Sequence, residues 1–223
     1  MKFNFVAAAA TIAIGLAGAS QAATISLFNT GVDASGTPQA NGSAELHYIL
    51  ISAPAGAASG LRVATSANGF PIPPWLGDDS ASAWVGPNSD GSLNGPAGQY
   101  DYQVTFSLAG LDPATAMILG QWAADDHGDN ILINGVSTGQ STTSGFSAFT
   151  PFSVASGFQS GTNTLDFIFT NSGGPLGLRV EMAGTAGSLG GVPEPATWAL
   201  MLLGVGGMGA ALRRRRVGIA FSV

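Results

Sequence analysis

The sequence predicts an all-β main domain, an antiparallel two-sheet β-sandwich over residues 23–185, followed by a single C-terminal transmembrane helix over residues 196–212. Three observations predict it. Turn formers are abundant, with 33 glycines and 12 prolines in 223 residues, and they separate short apolar runs. Several of those runs alternate apolar and polar residues, the period of a half-buried strand, and helical periodicity is absent before the C-terminal segment. Residues 196–212 are uncharged, and Arg213, Arg214, Arg215 and Arg216 follow them directly.

The first residues, Met-Lys-Phe-Asn-Phe, carry one positive charge, residues 6–19 are apolar, and Ser20-Gln21-Ala22 sets small residues at a cleavage position. Residues 1–22 therefore read as a secretory signal peptide removed by signal peptidase after Ala22. The ectodomain at 23–185 is long enough for one domain with its own core. Its clearest strand is 99–108, where Tyr100, Tyr102, Val104, Phe106 and Leu108 alternate with Gln99, Asp101, Gln103, Thr105 and Ser107, giving one buried and one wet face. Leu165, Phe167 and Phe169 mark a second strand, and Leu178, Val180 and Met182 a third. Further strands are expected at 24–28, 45–51, 61–64, 83–85, 115–123, 131–133 and 149–154. Asn134-Gly135, between Ile133 and Val136, predicts a two-residue hairpin turn, because both residue types tolerate positive φ. Eight to ten strands without a fixed-period repeat point to a sandwich of jelly-roll type rather than a solenoid or propeller. Residues 186–192, rich in glycine, read as a flexible linker.

Twelve carboxylates precede residue 190 and only Arg62 and Arg179 oppose them, so the ectodomain has a formal charge of −10. The whole-chain value of −6 conceals this, because the other basic residues lie in the two terminal segments. A surface of that sign excludes nucleic acid as a partner and leaves cations and polysaccharide. With no cysteine, the exported domain depends on its core rather than on disulfides.

The densest polar stretch is 125–130. Asp125, Asp126, Asp129 and Asn130 could supply several of the six to eight oxygens that calcium takes, with a polar self-bonded turn as the alternative. The loop at 88–94 could add more oxygens. Trp75, in the proline-rich stretch 70–75, is the tryptophan expected to be exposed and able to stack on a sugar, with Arg179 as a donor to sugar hydroxyls or as a partner of Glu181 or Asp126. Trp84 and Trp122 are expected in the core. The two histidines, His47 and His127, have no metal-type spacing. No spacing selects a carboxylate pair and no Gly-x-Ser-x-Gly occurs, so no catalytic residue is assigned.

The run at 196–212 rises roughly 25 Å as a helix, just short of a ~30 Å hydrocarbon core. The arginines stop transfer and mark the cytoplasmic side. Pro193, Glu194 and Pro195 precede the run, with prolines that favour an extended, accessible chain. Val192-Pro-Glu-Pro-Ala-Thr-Trp followed by the apolar block and the arginines resembles the PEP-CTERM sorting signal of Gram-negative bacteria. That resemblance implies processing by an exosortase at or near Pro193-Glu194-Pro195, transient residence in the inner membrane, delivery to the surface, and association with exopolysaccharide and biofilm. Residues 217–223 form a short cytoplasmic tail beyond the arginines.

Within the ectodomain, Ala83-Trp-Val-Gly-Pro87, Tyr100-x-Tyr-x-Val-Thr-Phe106, Gly120-x-Trp-Ala-x-Asp-Asp126, Asn163-Thr-Leu-Asp-Phe167 and the stretch 171–180 are similar to galactose-binding-like sandwich domains. The expected function is that of a non-enzymatic surface or matrix protein that binds extracellular polysaccharide. The alternatives are a carbohydrate-active hydrolase and a structural matrix protein without ligand.

Overall fold

The computed structural model describes residues 22–69, 71–87, 94–189 and 195–214. Residues 1–21, Pro193, Glu194, Arg215, Arg216 and 217–223 lie outside them, and with them most of the expected signal peptide and sorting motif. The chain divides into the ectodomain, residues 21–189, and a second unit that contains the C-terminal helix.

Thirteen strands are described: β1 (Ala22–Ile25), β2 (Tyr48–Ser52), β3 (Arg62–Ala64), β4 (Trp84–Gly86), β5 (Asn94–Gly95), β6 (Gly98–Ser107), β7 (Leu111–Asp125), β8 (His127–Ile133), β9 (Val136–Ser137), β10 (Thr150–Val154), β11 (Thr162–Asn171), β12 (Gly174–Pro175) and β13 (Gly177–Ser188). A six-stranded sheet runs β10-β7-β13-β4-β3, with β1 also on β13, and a five-stranded sheet runs β2-β6-β11-β8-β9. All pairings are antiparallel, and β5 and β12 form a small separate ladder. From β6 onward the chain changes sheet at almost every step, so the long strands β6, β7, β11 and β13 build both layers.

Alternation explains the core. On β6 Tyr100, Tyr102, Val104 and Phe106 point inward, and on β11 Leu165, Phe167 and Phe169 do. They meet Ile118, Trp122, Leu178 and Val180 from the opposite sheet in one continuous cluster. Burial of this set is the main stabilising term, and it explains why a cysteine-free domain folds. Phe167 lies at its centre, with Tyr48, Trp122 and Phe152 rings within 6.1 Å.

Two local devices complete the sheets. Asn134 (φ 51°) and Gly135 (φ 77°) form the predicted hairpin, so that Ile133 pairs with Val136. Thr30 bridges β13 and the residue before β4: its amide donates to the Val180 carbonyl, its hydroxyl donates to the Ala83 carbonyl, and the Ala83 amide donates back to the Thr30 carbonyl.

The ends of the domain differ from expectation. β13 continues to Ser188, so residues 186–188 are strand rather than linker, held by pairing of Gly187 with Asp112 and Ser188 with Leu111. β1 begins at Ala22, which pairs with Gly187. In the other unit, helix α1 spans Pro195–Arg214. Pro195 opens it rather than extending the chain, because a proline ring presets φ for the first helical position and its missing N–H is not needed there. Among the described residues no helix is long and apolar enough to cross a membrane. The expected span at 196–212 is thus a helix, part of a 20-residue one, and Gly204, Gly206, Gly207 and Gly209 lower its hydropathy.

Candidate functional site

Trp75 and Arg179 do not face solvent. The proline-rich stretch folds back over the outer face of the six-stranded sheet, and Trp75 is only 9% exposed. Its ring packs on Trp84 at 4.6 Å and on Phe146 at 5.3 Å, in a second small core with Ala64 and Ala123. Burying a large aromatic surface outweighs the polarity of the surrounding loop. Trp84 is anchored by its indole N–H on the Leu76 carbonyl, 2.9 Å away, and Trp122 belongs to the main core.

Arg179, 1% exposed, projects from β13 beneath the same loop. Its Nε donates to Ser82 Oγ at 2.7 Å, Nη2 to the Ser82 carbonyl at 3.1 Å and Nη1 to the Gly77 carbonyl. Nη2 also pairs with Asp79, and Glu181 lies 3.9 Å away. The Phe149 ring covers the guanidinium at 5.3 Å. Nε, Nη1 and Nη2 therefore all serve the fold, with Asp79 rather than Asp126 as the principal acid. Burial would raise the Asp79 carboxyl, but the amides of Ala81 and Ser82 and the Arg179 charge hold it below its ordinary value.

The acidic turn does not converge on one point. Asp125 ends β7, buried at 4%, and its Oδ1 has no hydrogen-bond partner. Burial, with a hydrogen bond to Asp126 and that residue's charge, pushes its carboxyl up to about 8. Burial also acts upward on Asp126, but the Ser172 amide at 2.7 Å, the Ser172 hydroxyl and Asp125 bring it below its usual range. Asp129 is the extra residue where β8 and β11 slip register, since Gly128 pairs with Phe169 and Asn130 with Ile168. That bulge turns its carboxylate to Thr170 Oγ1 at 2.7 Å and Gln99 Nε2 at 3.2 Å. Asn130 turns instead to Ser137 and the Gly139 amide. Among the described residues no three acidic, histidine or cysteine side chains stand where they could hold a metal ion. The expected calcium ligands are thus divided by the strand end and the bulge. Of the second oxygen-rich loop only Asn94 is described.

A polar row that sequence reasoning did not single out as a site lies on the outer face of the five-stranded sheet. It is formed by the wet positions of β6, Gln99, Asp101 and Gln103, beside Asp166 and Thr170 of β11. Register places Asp166 opposite Gln103 and Ile168 opposite Asp101, so Asp101 and Asp166 are diagonal neighbours on one face. Gln103 Nε2 donates to Asp166 Oδ1 at 2.7 Å, while Asp101 Oδ1 is buried without a partner. Burial and the Asp166 charge push the Asp101 carboxyl up to about 6. Asp129 joins the row through Gln99 and Thr170. The alternation on 99–108 already marked the β6 residues as wet; only the pairing register brings Asp166 to them.

Residues 191–216 match the PEP-CTERM protein-sorting motif. The chain thus carries a C-terminal sorting signal of that kind. No curated protein matches the chain. Among solved structures it is similar to the CBM35 domain from Paenibacillus barcinonensis, at 17% identity and a TM-score of 0.35, over 62% of this chain and 94% of that one. It is similar to the GH26-CBM35 β-(1,4)-mannanase of Podospora anserina at 19% identity and a TM-score of 0.31, over 66% of this chain and 29% of that one. A CBM36-1 domain of a multidomain xylanase from the hindgut metagenome of Trinervitermes trinervoides aligns at 13% identity and a TM-score of 0.30, over 53% and 86%.

Proposed function

We propose that this chain is exported through its signal peptide, sorted to the cell surface by an exosortase, and displays a non-enzymatic β-sandwich that binds polysaccharide of the extracellular matrix. The observation that carries the sorting half is the motif match at 191–216, which starts two residues after the last residue of the ectodomain. In this reading α1 engages the inner membrane transiently, with the arginines on the cytoplasmic side, and its short apolar run is accommodated by local thinning and snorkelling. Cleavage falls at or near Pro193-Glu194-Pro195, so the mature protein lacks α1. Replacing Pro193–Pro195 by alanine, or Arg213–Arg216 by glutamine, is expected to leave an unprocessed, cell-associated chain of full mass. Unchanged release and mass by whole-protein mass spectrometry would overturn the sorting reading.

Polysaccharide binding is supported by the polar row on β6 and β11. Amide and carboxylate groups of this kind exchange hydrogen bonds with sugar hydroxyls, and Gln99 of the row is exposed while Asp101 and Gln103 are half-buried. Titration of the protein with neutral polysaccharides, beside an Asp101→Ala, Gln103→Ala variant, tests it. Absence of binding to any glycan, or equal binding by the variant, would remove the ligand and leave a structural matrix protein. The diagonal Asp101–Asp166 pair also favours a second reading, carbohydrate hydrolysis with Asp101 as acid. Release of new reducing ends in the same mixtures would establish it in place of simple binding.

A further inference from the structure

The strands that end the main path of each sheet are β10 and β3 on one, β2 and β9 on the other, with β1 lying off that path on β13; of the four, β10, β3 and β9 are covered. On β10 the Gln140 side chain accepts from the Ser153 amide at 2.8 Å and donates to the Ser153 carbonyl at 2.7 Å, occupying the main chain as a neighbouring strand would. On β3 the segment before β2 is laid alongside: the Val63 amide donates to the Ser43 carbonyl, the Gly42 amide donates to the Val63 carbonyl, and Ala44 bridges Arg62. β9 is two residues long, and Asn130 closes on Ser137 and the Gly139 amide beside it. Such covers prevent a sheet edge from pairing with another chain.

β2 has no cover of this kind among the described residues. Glu45 accepts from the amides of Gly31, His47 and Tyr48, and so caps only the first residue of the strand. The strand is Tyr-Ile-Leu-Ile-Ser, without a charge in a domain of −10. Ile49 is 56% and Ile51 48% exposed. The bulge at Ile51 does not turn that side chain away from solvent. An uncharged, uncovered edge with protruding isoleucines is a pairing surface.

We propose that β2 is the site at which two copies of this chain pair, joining their five-stranded sheets edge to edge. Its central Ile49-Leu50-Ile51 reads the same in both directions, so a two-fold axis at Leu50 sets Ile49 of each copy opposite Ile51 of the other. No charge of either strand is buried by this contact. The groove beside β2 also carries Arg62, which makes no ion pair among the described residues and is one of only two arginines of the ectodomain. A second acidic copy supplies the carboxylates that Arg62 lacks at home.

The full-length chain in detergent micelles, followed by light scattering and sedimentation, is expected to form a concentration-dependent dimer. Ile49→Lys with Ile51→Lys should raise its dissociation constant by roughly tenfold or more. Because the chain has no cysteine, Ile49→Cys and Ile51→Cys chains can be oxidised separately and mixed, and the mixture should cross-link several-fold faster than either alone. The mixing result stands even if the lysine variant folds poorly. A chain that stays monomeric, a dimer unaffected by the lysines, as contact through α1 would produce, or equal cross-linking in all three samples would overturn the proposal.

Discussion

Arg179 on β13 closes its ion pair with Asp79, a hundred residues earlier in the loop that covers the outer face of the six-stranded sheet. The guanidinium is buried and the carboxylate is 45% exposed, so the two partners are not equivalent. Removing the arginine leaves the Gly77 and Ser82 carbonyls without this donor and Glu181 without a nearby cation, though Ser82 and Gln121 still bond to Glu181. Removing Asp79 instead leaves the arginine's four other contacts in place. Arg179→Met is expected to cost about 3–5 kcal/mol of unfolding free energy in urea titrations, the range for breaking a buried charge network from one side. Asp79→Ala should cost about 1 kcal/mol, the upper range for an exposed pair. Equal losses from the two variants would mean that the loop is held by the ion pair alone.

Asp125 predicts a pH dependence. Its carboxyl is pushed from 3.8 up to about 8, so the folded chain keeps a proton that the unfolded chain releases. Its contribution is therefore fully present below pH 3.8 and is lost as pH rises through about 8. Asp125→Asn imitates the protonated form. The variant should match the parent in melting temperature near pH 4 and exceed it increasingly toward pH 8, at ~2–4 °C for each kcal/mol recovered. A constant difference across that range would assign the effect to packing rather than to titration.

Gly128 sits against the Trp122 ring. A Cβ there would fall 2.5 Å from one Trp122 ring carbon and 2.6 Å from the Thr142 methyl, while the Gly128 amide is tied to Thr142 Oγ1 at 2.7 Å. Gly128→Ala should destabilise by about 1–3 kcal/mol through overpacking. Gly77→Ala, with nothing within 4 Å of its Cβ, should be close to neutral. Chemical denaturation of both variants gives the comparison.

At the hairpin, Asn134 adopts positive φ, and its side chain also donates to the Gly157 carbonyl and Asn163 Oδ1 and accepts from the Thr164 amide. Asn134→Gly keeps the backbone and loses the bonds; Asn134→Ala loses both. The expected order of stability is parent, glycine, alanine, with about 1 kcal/mol at each step. A glycine variant as stable as the parent would show that only the turn geometry matters.

Much of the fold was legible because it follows a period. The alternation of Tyr100 through Leu108 gives both the strand and its buried face, and Asn134-Gly135 gives a turn whose chemistry has few alternatives. The site residues were less legible because their environment comes from distant chain. Nothing near Trp75 indicates that Phe146, some seventy residues later, will cover it, nor does Arg179 carry a local sign of Ser82. The four expected calcium ligands look adjacent in sequence, but the end of β7 and a single slipped residue at Asp129 send them to different neighbours. Asp101 and Asp166 were both visible as strand residues. Their proximity is a matter of register, which one chain without its pairing partner does not encode locally.

The pairing of Ala23 with Ala186, which sets β1 beside the end of β13, bears on how the domain withstands pulling. A chain held at the surface through its C-terminus receives force at the last residue of β13 and passes it along that strand into β7, its partner from Gly177 to Ser188. The bonds of that ladder then share the load in shear, while β1, which lies at the other end of the domain's sequence, is not pulled directly. Attachment through the N-terminus would instead peel β1 from β13 one bond at a time. The topology is thus mechanically polar and suited to a tether at its C-terminal end.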